Sequence, residues 1–490
     1  MKKRILTKLI VFAFAVFVFP SLAGASFVGE RATFFVDSSY SKTNQTSINA
    51  TLKNSSDLLD IYIEDNWWNN ITEEEKREAI DNLNSLSQEF SSRMFNQLTY
   101  SYGSVWDTGV STTNKKITIL FHQLRDDAKG YTRNIDMYEK AVAPYSNQKE
   151  MVYLNTGDIN DELLKSYLAH EFSHLIQINQ KEKKLGNPEE TWLNELRAEY
   201  APTLMGYNNA SDKDNYLRKR VTTFLTNSTR SLTQWGNNIY NYGTVSMFGH
   251  YLVDHYGVEI LTESLKNSNK VGIESIEEIL KKRGYTESFE EIFNNWTIAN
   301  YVNNCSANDK YCYKNENLTG LQIIPFSNFV PFAGESTLVI GQSLPNWSSH
   351  WQRFSGANKD LKLVFDGKYQ EQIKVHYILR YYNGKQEIKE LVLDKNKTKE
   401  IVFPKMGTDI ASLIVVVSAQ DKSISFQENK SFNYSISVST INSVEEEPQE
   451  QEIKLPFAID KPLNQMNREE LLMVIIRTII YLLVQGKLVI

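Results

Sequence analysis

The spacing of apolar positions along this chain changes several times, and each change marks a boundary. Residues 31–65 carry short apolar runs, Ala32-Thr33-Phe34-Phe35-Val36 and Leu58-Leu59-Asp60-Ile61-Tyr62-Ile63, separated by Ser/Asn-rich turns. That pattern predicts strands. From Thr72 the apolar residues Ala79, Leu83, Leu86, Phe90 and Met94 recur three to four apart, which predicts a helix to about Asn96. Thr72 with Glu75 three residues on is a capping box at its start. Ile117-Thr118-Ile119-Leu120-Phe121 is β-branched and reads as a buried strand, and Met151-Val152-Tyr153-Leu154 as another. Between them a polar connection runs from His122 to Gln148, long enough to be a functional rim.

Helical spacing returns with Leu164, Tyr167, Leu168, Phe172, Leu175 and Ile176. This predicts a helix that starts near 158–160 and ends near Lys184-Leu185-Gly186. Asn187-Pro188-Glu189-Glu190 then opens a second helix, with Asn as cap, Pro in the first turn and acid beside the positive end of the helix dipole. Further helices follow to about residue 303, including Val245 to His255 and Ser288 to Tyr301. From about 320 to 440 the chain is strand and turn, with Leu361 to Phe365, Lys374 to Leu379 and Leu413 to Val417 as strands and Asp366-Gly367 and Asn383-Gly384 as turns. This predicts a separate domain resembling a β-sandwich. The fold class is therefore α+β. The parts read as 26–160, sheet-rich; 161–318, helical; 319–441, all-β; 442–465, an acidic linker; and 466–490, an apolar helix. The last carries Arg477 amid Leu471 to Val484. A bilayer needs about 20 apolar residues. This segment is shorter, so it is read as packing on a partner protein or lying at a membrane surface.

Composition changes the picture at three points. At 490 residues with 41% hydrophobic and 23% charged positions the chain has ample core for a globular protein. Residues 1–25 read as an export signal: Lys2, Lys3, Arg4 and Lys8, an apolar run from Leu9 to Phe19, and Ala23-Gly24-Ala25 before Ser26. The expected location is thus secreted, extracellular or at the cell surface. Formal charge is −6, and the leader is purely basic, so the chain beyond it is more acidic still. Non-specific binding to nucleic acid is excluded on that ground. The two cysteines, Cys305 and Cys312, bracket a polar loop, and in an exported chain they favour a local disulfide.

The chemistry concentrates in His170-Glu171-Phe172-Ser173-His174. Residues four apart on a helix share a face, so His170 and His174 project together, with Glu171 rotated about 100° from the first. The pair is a candidate metal site, and Glu171 is placed to act on a water held there. Catalytic zinc takes three protein ligands and leaves one position open. The route HExxHxxGxxH fails here, because Leu175, Ile176 and Gln177 follow His174. The other route is a carboxylate from the next helix, which supplies Glu195 and, one turn on, Glu199. Glu195 is read as the ligand and Glu199 as hydrogen-bonding a ligating imidazole, with the exchanged assignment left open.

HExxH followed by a helix reading Trp192-Leu193-Asn194-Glu195 resembles the gluzincin metallopeptidases, most nearly their hyicolysin-like secreted bacterial branch. Ser146 to Asn155 and Phe289 to Trp296 support the resemblance, which covers roughly residues 55 to 303. Leu196 stands where that family usually has Gly. The resemblance implies a zincin-type catalytic domain, Zn2+ as cofactor, His170, His174 and Glu195 as its ligands, Glu171 as general base, and a protein or peptide substrate. It also implies an oxyanion donor downstream of the third ligand, for which Tyr242 in Tyr240-Asn241-Tyr242-Gly243-Thr244 is chosen. The strand at Glu150 to Asn155 would be the edge that pairs with extended substrate. The Gly-x-Met-Glu-Asn signature that anchors a free amine in related aminopeptidases is absent, which favours an endopeptidase. The alternative is a surface binding or adhesion protein on a peptidase fold that no longer turns over.

Overall fold

The computed structural model describes residues 27–106, 115–331, 336–441 and 465–484. The export signal read at 1–25, and all but the last residue of the acidic linker, lie outside the described residues. The described residues up to Thr440 form one compact unit and those from Ile441 onward a second. The class is α+β.

The N-terminal strands β1 (Arg31–Phe35), β2 (Ser47–Ser55) and β3 (Leu59–Glu64) pair antiparallel in sequence. Helices α1 (Asp65–Asn70), α2 (Glu73–Glu89) and α3 (Phe95–Tyr102) follow, the last two joined by a π-helical turn at Phe90–Met94. The capping box at Thr72 and Glu75 is present and starts α2. Strand β4 (Ile117–His122) lies parallel to β3, and β5 (Gly130–Thr132) and β6 (Met151–Asn155) complete a six-stranded sheet in the order β1-β2-β3-β4-β6-β5. One face buries Ile61, Ile119 and Val152 against Leu83 of α2, Leu98 of α3 and Phe172. The other buries Phe34, Leu120 and Tyr153.

Two of the expected elements lie elsewhere. Strand β6 is interior, parallel to β4 on one side and antiparallel to β5 on the other. The edge is β5, three residues inside the polar connection, too short and too closely flanked by charge to show as a strand in the pattern. The helix expected from Asn187 begins only at Thr191. The acidic residues meant for its first turn are taken up by tertiary contacts. Glu189 accepts hydrogen bonds from Arg197 Nη1 at 2.8 Å and the Gly272 amide at 2.6 Å, and Glu190 stays extended and accepts one from Trp192 Nε1 at 2.5 Å.

Helix α4 (Leu164–Gln177) carries the histidines, starts later than the spacing predicts, and runs on through a π-helical turn at Ile178–Lys183. Then come α5 (Thr191–Leu204), α6 (Tyr216–Thr226), α7 (Ile239–Tyr256), α8 (Glu259–Lys266), α9 (Gly272–Lys282) and α10 (Phe289–Val302). Their common core joins Trp192, Leu196, Phe248, Ile279 and Trp296. Cys305 and Cys312 are disulfide-bonded in the loop after α10.

The strands β7 (Phe326–Val330), β8 (Thr337–Pro345), β9 (Ser348–Gly356), β10 (Asp360–Asp366), β11 (Ile373–Tyr381), β12 (Gln386–Glu390), β13 (Thr398–Phe403), β14 (Ile410–Ala419) and β15 (Ser431–Ile441) form two sheets. Their orders are β13-β10-β15-β8 and β12-β11-β14-β9-β7. Leu413, Val415 and Val417 of β14 point into the core between the sheets, while Ile414 and Val416 join the helical core. Trp347 and Trp351 do the same, Trp347 meeting Phe289 and Phe293 edge-on at 5.1 and 5.3 Å and Trp351 Nε1 donating to the Thr297 carbonyl at 2.9 Å. The two-sheet sandwich is thus welded to the helices along one face.

In the second unit, helix α11 (Arg468–Val484) exposes Leu472, Met473 and Ile480. Among the described residues no helix is long and apolar enough to cross a membrane.

Candidate metal centre

Helices α4 and α5 pack side by side, and Gln177 Nε2 donates across the seam to the Asn194 carbonyl at 3.1 Å. This pairing brings Glu195 over the histidine face of α4. The two Nε2 atoms of His170 and His174 stand 3.2 Å apart. Glu195 Oε2 lies 3.3 Å from the first and 3.5 Å from the second. That oxygen is buried and has no hydrogen-bond partner of proper geometry. One ligand atom from each of the three residues falls within a 4.8 Å group able to hold a metal ion.

Glu199, one turn along α5, lies on the other side of His170, with Oε1 3.4 Å from Nδ1. Its carboxylate is fully buried and firmly held: Arg220 donates from Nε to Oε2 at 2.8 Å and from Nη2 to Oε1 at 2.7 Å, and the Tyr216 hydroxyl donates to Oε1 at 2.7 Å. A two-point guanidinium contact of this kind fixes a carboxylate in position as well as in charge. Glu195 and Glu199 thus meet opposite nitrogens of one imidazole. Sequence reasoning missed Tyr216 and Arg220. They sit four apart on α6, a spacing that aligns them on one face but names no partner.

Glu171 is buried beside this group. Burial pushes its carboxyl up, the two histidines pull it back, and Glu195 and Glu199 add to the rise. Burial alone would keep His170 neutral; the carboxylates of Glu195, Glu171 and Glu199 outweigh it and raise its pKa to about 9. Glu195 is held well below the usual carboxylate range, because His174 and His170 outweigh its burial. Strand β5 passes close by at Gly130, where an added Cβ would stand 2.8 Å from Glu171 Cγ and 2.9 Å from the Tyr153 carbonyl oxygen. Gly130→Ala is therefore expected to destabilise the protein by about 1–3 kcal/mol, the usual cost of forcing a methyl group into filled space. A urea titration against the unmodified chain checks this.

Tyr242 lies in the first turn of α7 rather than ahead of it, because the Asn238 side chain accepts from the Tyr240 and Asn241 amides and starts the helix at Ile239. Its ring is 6.3 Å from that of His170 and meets Trp235 edge-on at 5.0 Å. Burial, and after it the carboxylates of Glu195 and Glu171, raise its phenol pKa, so it remains a proton donor. His170, Glu171, His174, Glu195 and Tyr242 line one cleft of about 630 Å³, and Glu199 sits behind it. His250 and His255 are elsewhere: His250 bridges the Ser246 carbonyl and the Thr203 hydroxyl, and His255 meets the Cys312 carbonyl.

Two imidazoles and a carboxylate around one point are a donor set that suits a divalent metal ion with a position left open. No family model matches the chain. It is similar to the neutral metalloprotease ShpI of Staphylococcus hyicus, 24% identical over 240 residues that cover 43% of this chain and 49% of that protein. The chain spans about half the length of this curated relative. The match supports a relationship to metallopeptidases, and with it a metal cofactor. Among solved structures, the periplasmic inhibitors of g-type lysozyme PliG from Aeromonas hydrophila and Salmonella Typhimurium each match 24% of the chain and 98% and 97% of their own. Both are 15% identical, with TM-scores of 0.17 and 0.16, a level from which no shared fold follows.

Proposed function

We propose that the protein is an exported, zinc-dependent endopeptidase of the gluzincin type, with a zincin-like catalytic part. The observation that carries this is the convergence of His170 Nε2, His174 Nε2 and the buried, unpartnered Glu195 Oε2 on one point. A buried carboxylate oxygen needs a positive or donating neighbour, and a cation held between the two imidazoles and Glu195 would supply one. Nitrogen and oxygen ligands in this number suit zinc.

Zinc bound there would lower the pKa of a water to about 7 and polarise a carbonyl. The remaining work falls to side chains. The Tyr216 hydroxyl, itself held by Glu199, meets His170 Nδ1 at 3.3 Å, and Glu199 Oε1 stands 3.4 Å from the same nitrogen, which fixes the tautomer and leaves Nε2 free to ligate. Glu171 takes the proton of the attacking water on its carboxylate and passes it to the nitrogen of the departing amine. Tyr242 donates from its hydroxyl to the carbonyl oxygen as that oxygen becomes negative. Extended substrate pairs along β5, the free edge of the sheet. The substrate is protein or peptide, and the exposed apolar face of α11 is assigned to a protein partner or a membrane surface.

Metal removal tests the reading. The purified full chain is expected to bind one zinc, to cut an unfolded protein at internal bonds, to lose the activity on chelation, and to regain it with zinc. Mass spectrometry of the products separates internal cuts from stepwise loss of terminal residues. A zinc-loaded chain that binds unfolded protein without cutting it would favour the adhesion reading instead.

A further inference from the structure

A second tyrosine lines the same cleft as Tyr242. Tyr40 sits in the loop between β1 and β2, and that loop is laced by backbone to the segment leading into β5. The Arg125 amide donates to the Tyr40 carbonyl at 2.9 Å, the Lys42 amide to the Gln123 carbonyl at 3.0 Å, and Ser41 bridges Leu124. The Tyr40 ring stacks on Tyr131 of β5, centroids 4.5 Å apart, and Tyr131 stacks on Tyr153 of β6 at 4.4 Å. The inner two rings are pinned by their hydroxyls, Tyr131 to His122 Nε2 at 3.0 Å and Tyr153 to the buried Asp136 at 2.5 Å. Tyr40 is the outermost ring of this pile, half-buried, and it lines the same cleft as Glu171, Glu195 and Tyr242.

Burial first, and then the charges of Glu171 and Glu195, push its phenol pKa up, so the hydroxyl keeps its proton. Asn237 lies just ahead of the helix that carries Tyr242, with φ at +48°, a conformation most side chains avoid. We infer that Tyr40 is a catalytic residue: its hydroxyl and that of Tyr242, which line one cleft with Glu171 and Glu195, both donate to the carbonyl oxygen as the substrate becomes tetrahedral. This rests on the peptidase reading. Such donors act because they are already in place when the charge appears, and a three-ring pile is a rigid mount for one. A ring present only for stacking would be indifferent to loss of its oxygen.

Tyr40→Phe keeps the pile and removes the donor. The zinc-loaded full chain is compared with this variant in two assays: cleavage of an internally quenched peptide, and calorimetric binding of a phosphinic peptide whose tetrahedral oxygens mimic the reacting centre. The expected result is a fall in kcat of about a hundredfold at nearly constant KM, with a matching loss of phosphinic-peptide affinity and unchanged zinc content. Wild-type kcat and affinity in Tyr40→Phe, alongside an inactive Glu171→Gln, would overturn the inference and leave the peptidase reading standing. A rise in KM alone would overturn it too, since it marks ordinary substrate binding. A wild-type chain that neither cuts the peptide nor binds the phosphinic analogue would remove both readings.

Discussion

Glu171→Gln is expected to lower kcat/KM on an unfolded-protein or peptide substrate by about a hundred- to ten-thousandfold while the chain stays folded and zinc-loaded. The amide fills the same buried space but cannot take a proton from water. It lies off the point where His170 Nε2, His174 Nε2 and Glu195 Oε2 meet, so metal content should match wild type. Glu195→Ala gives the contrast: it removes one of the three donor atoms, and zinc and activity should fall together. Metal analysis beside the kinetics separates the two variants. Wild-type rates in Glu171→Gln would remove Glu171 from the chemistry.

The second large effect is on stability. Arg197 is wholly buried in α5, between Glu195 and Glu199, with Nη1 on Glu189 at 2.8 Å, Nη2 on the Ser264 hydroxyl at 2.9 Å and Nε on the Leu261 carbonyl at 3.2 Å. Arg197→Met leaves the Glu189 carboxylate buried with Lys181, 3.9 Å away, as its nearest cation. Breaking one side of a buried ion pair costs about 3–5 kcal/mol, much of it for the stranded charge. Adding Glu189→Gln removes that charge, so the double variant should recover part of the loss. Denaturant unfolding of the single and double variants measures both.

Most of the candidate site is legible in the sequence because its parts are local. A four-residue spacing on one helix places His170 and His174, and a second helix with carboxylates one turn apart supplies Glu195 and Glu199. That spacing leaves their positions relative to His170 open; in the structure Glu195 Oε2 stands 3.3 Å from Nε2 and Glu199 Oε1 3.4 Å from Nδ1. The illegible part depends on chain segments meeting at a distance. Arg220 and Tyr216 look like any helix surface until Glu199 arrives. Tyr40 and Gly130 carry no local mark at all. The start of α5 departs from its capping pattern because Glu189 goes to Gly272 and Arg197, contacts made outside the first turn. In the β-region the clue is present. Leu413 to Val417 is an unbroken apolar run, and a strand with one wet face would alternate. The run signals burial on both faces, which is how β14 lies between the sandwich core and the helices.

The tryptophans of the sandwich also set a clock. Helix α5 leans through Trp192 and Leu196 on a core that Trp347, Trp351 and Val416 complete. A ribosome delivers His170, His174 and Glu195 long before it delivers those three. Nascent domains generally fold as units once their residues are out, and this unit has an open flank behind Glu195 until β14 has been made. The growing chain therefore holds His170, His174 and Glu195 early and the core behind them late.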